Sequence, residues 1–173
     1  MEFIFETNYD QKGITVMAKA LRKTVRKKRS KRSHIFGIII ILCAILLSIP
    51  DKNEEFVITM NLVVTWIAVV VMTVTLLFED KLNGYIARKR MLPGMEKSIV
   101  TFQEDSYLSE TAVGKTEFYY NNINTIAETD EYFVFIFNQN HAQIYDKNGL
   151  KEGTIEGFRD FITQKTEKEI QRI

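Results

Sequence analysis

Two apolar segments separated by a short acidic loop organise this chain. The first runs from Ile35 to Ile49, the second from Phe56 to Phe78, and Asp51, Glu54 and Glu55 lie in the loop between them. A helix rises about 1.5 Å per residue, so the second segment spans roughly 34 Å, enough for a hydrocarbon core of about 30 Å. The pattern predicts a transmembrane helical hairpin with spans at 33–50 and 56–78.

The residues before the hairpin predict a strand and a basic helix. Apolar and polar residues alternate from Glu2 to Asn8, and we expect this strand to join the later sheet with Phe3 and Phe5 buried. From Ile14 to about Lys28, apolar residues recur every three or four positions, with basic residues in between. Such a helix either lies on an anionic membrane surface or packs on protein, and the pattern leaves both open.

After the hairpin, a helix and then a series of short strands are predicted. The helix continues from Glu79 to about Arg90, where Pro93 and Gly94 end it. Strands are expected at 98–103, 107–112, 116–120, 123–128, 132–137 and 141–145. The run at 132–137 is apolar on both faces and should be central in a buried layer. A closing helix begins near Thr154, with an apolar stripe that includes Ile170.

These elements predict an α+β membrane protein, with a two-helix transmembrane hairpin and a small antiparallel β-barrel or bent sheet covered by a C-terminal helix. We expect four regions. They are a cytoplasmic strand and basic amphipathic helix at 1–32, the hairpin at 33–78, a helical extension and linker at 79–94, and a cytoplasmic domain at 95–173.

Charge sets the expected orientation of the hairpin. Residues 1–94 carry a net charge of +7 and residues 95–173 carry −6. Short basic segments resist translocation, so the nine Lys and Arg residues from Lys19 to Arg32 place both termini in the cytoplasm, with the protein in the cell membrane. The candidate contacts to anionic lipid headgroups are Arg22, Arg26, Lys27, Lys28, Arg29, Lys31 and Arg32.

Small and hydroxyl residues mark the faces that the two spans are expected to pack together. The candidates for helix–helix packing are Gly37, Ala44, Ser48, Asn61, Thr65, Ala68 and Thr75. Neither span contains Asp, Glu, Lys or Arg, which argues against an ion or proton path.

The sequence offers little chemistry for catalysis. Cys43 is the single cysteine, His34 and His141 are the only histidines, and there is no glycine-rich phosphate loop. We therefore predict a non-enzymatic protein with no catalytic residues, no metal ligands and no cofactor. The basic run lacks interleaved aromatic residues and adjoins a span, so nucleic acid is not an expected partner.

Four stretches carry a resemblance to a known family. They are Phe102–Asp105, Phe118–Glu128, the apolar strand Tyr132–Phe137 and the helix containing Phe158–Ile162. Together with the basic N-terminal region and the two adjacent spans, they resemble the YcxB-like bacterial membrane proteins. The resemblance implies a split β-barrel of the pleckstrin-homology (PH) type in the C-terminal domain, and it brings no established catalytic residues.

Two functional hypotheses follow. In the first, the hairpin tethers the PH-like domain to the bacterial inner membrane, where the domain binds an unidentified protein partner or a second copy in a homo-oligomer. In the second, the chain is an immunity protein that protects the membrane against a toxin or bacteriocin, through its spans and the acidic loop 51–55.

Overall fold

The structure is a computed structural model that describes residues 2–49 and 57–173. The helices of these two ranges are α1 (Gln11–Lys23), α2 (Lys27–Leu47), α3 (Met60–Leu77), α4 (Glu79–Lys89) and α5 (Ile155–Thr166). The strands are β1 (Phe3–Asn8), β2 (Lys97–Phe102), β3 (Ser106–Thr111), β4 (Gly114–Tyr119), β5 (Thr125–Glu128), β6 (Tyr132–Ile136), β7 (Ala142–Asp146), β8 (Leu150–Glu152) and β9 (Ile170–Arg172). The predicted α+β class is confirmed. The acidic loop 51–55 lies outside the described residues.

The strands form two sheets that share one core. The first sheet has the order β4-β3-β2-β1-β8 and is antiparallel throughout. The second has the order β7-β6-β5-β9, in which β5 and β9 are parallel. All six strands expected between residues 98 and 145 are present with small shifts at their ends.

β1 belongs to the first sheet, although the helices separate it from its neighbour in sequence. It pairs with β2 from Phe3 opposite Phe102 to Asn8 opposite Lys97. Phe3 and Phe5 are 1% and 0% exposed, so the expected joining of this strand to the later sheet is confirmed. The helices α1 to α4 are therefore an insertion between two paired strands.

β6 is buried on both faces, as its uniformly apolar sequence predicts. One face, with Phe133 and Phe135, belongs to the core between the sheets. The other face packs against α1 through Leu21 and its neighbours. The apolar side of α1 thus packs on protein, which favours that alternative over a helix lying on a membrane surface.

α5 closes the core with Phe158, whose ring contacts rings from both sheets. Thr154 caps the helix by accepting a hydrogen bond from the Gly157 amide at 3.1 Å. The ring of Phe158 lies 4.7 Å from that of Phe5 and 5.1 Å from that of Phe133. The prediction that Ile170 lies on the closing helix is wrong. The helix ends where Glu167 adopts a left-handed conformation (φ 55°), which turns the chain so that Ile170 enters β9.

The four inserted helices form two antiparallel pairs. α2 packs on α3, and α1 packs on α4. Gly84 permits the second contact, because a Cβ atom there would lie 2.9 Å from the Cα atom of Thr15. The predicted helix after the second apolar segment is confirmed as α4.

We expect Phe5→Ala to lower the free energy of unfolding by about 3–5 kcal/mol, because it leaves a cavity among aromatic rings of both sheets. Chemical denaturation of the full chain in detergent, followed by circular dichroism, measures this. Ile99→Ala on the adjacent strand is the control, since Ile99 is 43% exposed and should change stability much less. Equal effects of the two substitutions would contradict the integral position of β1.

Candidate functional site

A polar junction lies where α1 turns into α2 and α3 turns into α4. The turn between α1 and α2 consists of Thr24, Val25 and Arg26, and the turn between α3 and α4 is Phe78. We define the junction by Arg22, Ser30, His34, Glu79 and Asp80. It separates the apolar helix pair α2–α3 from the part of the chain that forms the sheets.

The strongest contact of the junction is a two-bond ion pair between α1 and α4. Arg22 donates from Nε and Nη2 to the two carboxylate oxygens of Asp80, each at 2.6 Å. The side chains are only 30% and 19% exposed, and hydrogen bonding to Asp80 raises the pKa of Arg22. Two parallel charge-assisted hydrogen bonds fix the orientation of the guanidinium and the carboxylate as well as the distance between them. They hold the end of α1 on the start of α4.

A second set of contacts joins α2 to α4. The buried Ser30 hydroxyl donates to Oε2 of Glu79 at 3.1 Å. Nδ1 of His34 lies 2.9 Å from the carbonyl oxygen of Ser30, and its Nε2 lies 3.6 Å from the same Glu79 oxygen. The latter contact is an ion pair only when the imidazole is protonated. Glu79 and Asp80, the two acidic residues at the start of α4, are thus both bound by side chains of α1 and α2.

A basic groove of about 670 Å³ opens beside the junction. We define it by Lys23, Lys27 and Lys31 on one wall and Gln171 and Arg172 of β9 on the other. The three lysines are exposed and follow one another at intervals of four residues. Arg172 also contacts Asp130 at 3.2 Å in a fully solvated pair, which holds the guanidinium weakly.

The seven candidate lipid contacts divide into three groups. Arg22 is held by Asp80, and Arg26 donates to the carbonyl oxygen of Gln139 at 2.6 Å. Lys27 and Lys31 are exposed and line the basic groove. The remaining three, Lys28, Arg29 and Arg32, are exposed and are not among the residues that line it.

The candidate packing residues also divide. Gly37 is buried against Leu76, and a Cβ atom at Gly37 would lie 2.9 Å from Cδ1 of that leucine. The half-buried candidates are Ala44, Ser48 and Thr65, whereas Asn61, Ala68 and Thr75 are exposed. Within one chain, α3 therefore turns a face rotated from the expected one toward α2, because Leu76 packs on Gly37. Packing of the exposed candidates against another helix stays a prediction.

Glu128 is the centre of a buried charged network in the second sheet. It is 7% exposed and accepts a hydrogen bond from Arg159 Nη2 at 2.7 Å and another from Lys147. Burial acts to raise the pKa of Glu128, but the bonds from Arg159 and Lys147 outweigh it and lower the pKa below its ordinary value. This network ties β5 to α5, and we assign it a structural role.

No group of three or more metal-ligating side chains occurs in residues 2–49 and 57–173. His141 precedes β7 with its ring 4.9 Å from that of Phe137, and Cys43 is exposed on α2. Besides the Glu128 network, polar groups of the described chain converge at the junction and the basic groove.

Comparison with known proteins gives one match, and it falls on the strands and helix of the shared core. Residues 102–162 match the model of the YcxB-like protein family. The resemblance predicted from the sequence is confirmed for this YcxB-like segment, which runs from the end of β2 into α5. No curated protein and no solved structure matches the chain.

The acidic partners of the junction are not predicted from the sequence, although the sequence carries a signal for them. Glu79 and Asp80 directly follow the second apolar segment, as the basic residues directly precede the first. In an antiparallel hairpin these two flanks lie at the same height, so opposite charges there are expected to pair. The approach of Gln171 and Arg172 to the groove has no such signal, since it depends on the turn at Glu167.

We expect a double-mutant cycle with Arg22→Ala and Asp80→Ala to give a coupling free energy of about 1.5–3 kcal/mol, because the bonds are charge-assisted and partly desolvated. Chemical denaturation of the full chain in detergent measures it. The control cycle uses Lys115 and Glu110, whose side chains are 64% and 39% exposed and should couple by less than about 1 kcal/mol. A coupling at Arg22–Asp80 no larger than the control would contradict a fixed α1–α4 contact.

We expect Glu128→Ala to destabilise the protein by about 3–5 kcal/mol at pH 7, since it leaves Arg159 and Lys147 without their shared partner. The folded-state pKa is lowered, so the stabilisation is complete above the ordinary value of 4.5 and is lost as pH falls through the folded-state pKa. The difference in unfolding free energy between wild type and variant should therefore narrow as pH falls below 4.5. Denaturation at pH 7 and pH 3.5 checks this, and Glu156→Ala, at a side chain 78% exposed, should show little change at either pH.

Proposed function

We propose that this chain is a non-enzymatic bacterial membrane protein with two spans, whose sheet domain lies on the cytoplasmic side. Two helices, Lys27–Leu47 and Met60–Leu77, are long and apolar enough to cross a membrane. Their apolar side chains are widely exposed, as Leu42 (55%) and Ile67 (59%) illustrate, so a lipid environment accounts for surface that water would not.

The pairing of β1 with β2 supports the sidedness. Strands that share one sheet must lie in one compartment, so both ends of the hairpin emerge on the same side. The basic residues around the start of α2 belong to that side, and short basic segments stay in the cytoplasm. The two sheets closed by α5 are consistent with a PH-like split barrel, which we propose for this domain.

The edge of the first sheet supports a role in protein interaction. Among the described strands, β4 pairs only with β3, and its residues from Gly114 to Glu117 are all exposed. A free edge of six residues presents backbone donors and acceptors to an added strand. This edge is the single observation that carries the proposal that the domain associates with another protein strand.

The side chains of β4 favour a second copy of the chain as the partner. Two β4 strands placed antiparallel, with Thr116 opposite Thr116, bring Lys115 of each copy opposite Glu117 of the other. Opposite charges in directly facing positions stabilise a strand pair, and the contact is closed by two-fold symmetry. The proposed function is therefore self-association of a membrane-tethered PH-like domain.

We expect Thr116→Cys, in a Cys43→Ser background, to form a disulfide-linked dimer when membranes holding the full chain are oxidised. Facing Cα atoms in antiparallel strands lie about 4.5–5.5 Å apart, within the range that a disulfide spans. Gel electrophoresis without reductant measures the dimer. Asp105→Cys in the β2–β3 turn is the control for random collision and should stay mostly monomeric.

Two further outcomes decide the proposal. Glu117→Lys should reduce the Thr116→Cys dimer, and adding Lys115→Glu together with Glu110→Lys should restore it. The added pair returns opposite charges to the facing positions between copies and keeps opposite charges at positions 110 and 115 within each chain. Equal cross-linking of the Thr116 and Asp105 variants would refute self-association through β4. Release of the chain from membranes by alkaline carbonate would refute the two-span arrangement itself.

A further inference from the structure

The basic groove combines a charged opening with an apolar continuation, and this combination indicates its ligand. Lys27 and Lys31 lie on one face of α2, and the same face continues into the apolar segment. Ile35, Ile38 and Leu42 follow Lys31 at helical intervals and are 49%, 52% and 55% exposed. A ligand lying along this face meets cations first and then an apolar surface.

The groove has features that the rest of the basic run lacks. Its second wall comes from β9, so Arg172 and the Gln171 amide face the lysines across the opening. Arg22, which also lines the groove, donates from Nε and Nη2 to Asp80, so its charge is already paired within the junction. Glu79 accepts a hydrogen bond from Ser30, and Asp130 pairs with Arg172 in an exposed contact that holds the guanidinium only weakly. Lys23, Lys27 and Lys31 on one side and the weakly held Arg172 on the other are the cations that can meet an anion.

We infer that the basic groove binds the phosphate of one anionic lipid headgroup, with the acyl chains lying along Ile35, Ile38 and Leu42. Lysine ammonium groups and the Arg172 guanidinium would contact the phosphate oxygens, while Gln171 donates to the headgroup. A soluble phosphate would use the cations but not the apolar face beyond them. This inference rests on the proposed membrane insertion, since the apolar continuation is otherwise in water.

The test uses the full chain in a neutral detergent, with native mass spectrometry to count bound lipid. Phosphatidylglycerol and phosphatidylcholine are titrated separately into wild type, a groove variant (K23Q/K27Q/K31Q) and a control variant (K28Q/R29Q/R32Q). Both variants lose three positive charges from the same stretch, so diffuse attraction to a negative lipid changes equally in the two. Only contacts specific to the groove can separate them.

We expect wild type to retain one phosphatidylglycerol in preference to phosphatidylcholine. The groove variant should bind phosphatidylglycerol about 100-fold more weakly, since each basic side chain near the headgroup contributes roughly fivefold. The control variant should stay within about threefold of wild type, because its three residues do not line the groove. Arg172→Gln alone should weaken binding by about fivefold, which shows that β9 takes part.

Equal losses in the groove and control variants would overturn the inference in favour of diffuse charge, as would equal binding of the two lipids. A site that takes up inorganic phosphate alone as well as it takes phosphatidylglycerol would overturn the assignment to a lipid. If the chain resists carbonate extraction but shows one of these contrary binding results, only the lipid site is refuted, and the two-span arrangement still stands. Extraction by carbonate is the separate outcome that removes the proposed function.

Discussion

The pairing of β1 with β2 is the contact on which the rest of the architecture depends. Phe3 and Phe5 reach the common core only because their strand lies between β2 and β8, and the rings of α5 pack directly against them. The same pairing brings the two ends of the helical insertion together on one side. It follows that residues 95–173 alone lack one strand of the first sheet and the helix that covers β6, so they do not make up the complete domain.

α1 links the sheets to the apolar helices through two different surfaces. Its apolar side covers the outer face of β6, and its polar end holds Asp80 at the start of α4. Gly84 lets the two helices approach closely along their length. α1 thus contacts both the second sheet and the helix that follows the apolar pair.

The sequence predicts the parts of the fold that have a regular period, and it misses those that depend on a single conformation. β2 alternates between exposed and buried residues, and the run at β6 is apolar on both faces. β8 and β9 have three residues each, too few for a period, and β9 follows only because Glu167 turns the chain. For the candidate site, the sequence identifies the basic residues but does not show which of them are already paired. That division depends on helix rotation, which places Arg22 on Asp80 and leaves Lys27 and Lys31 in the groove.

The insertion of the helices between β1 and β2 also governs the order in which the molecule can fold. β1 is synthesised first, yet its partner appears only after both apolar helices have been made. Bringing distant strands together costs loop-closure entropy, and an antiparallel helix pair removes most of this cost by returning the chain to its starting point. Without the hairpin, β1 could reach β2 only by closing a long flexible segment, and Phe3 and Phe5 would stay exposed until that happened. Pairing of β1 with β2 is therefore favoured once the hairpin has formed.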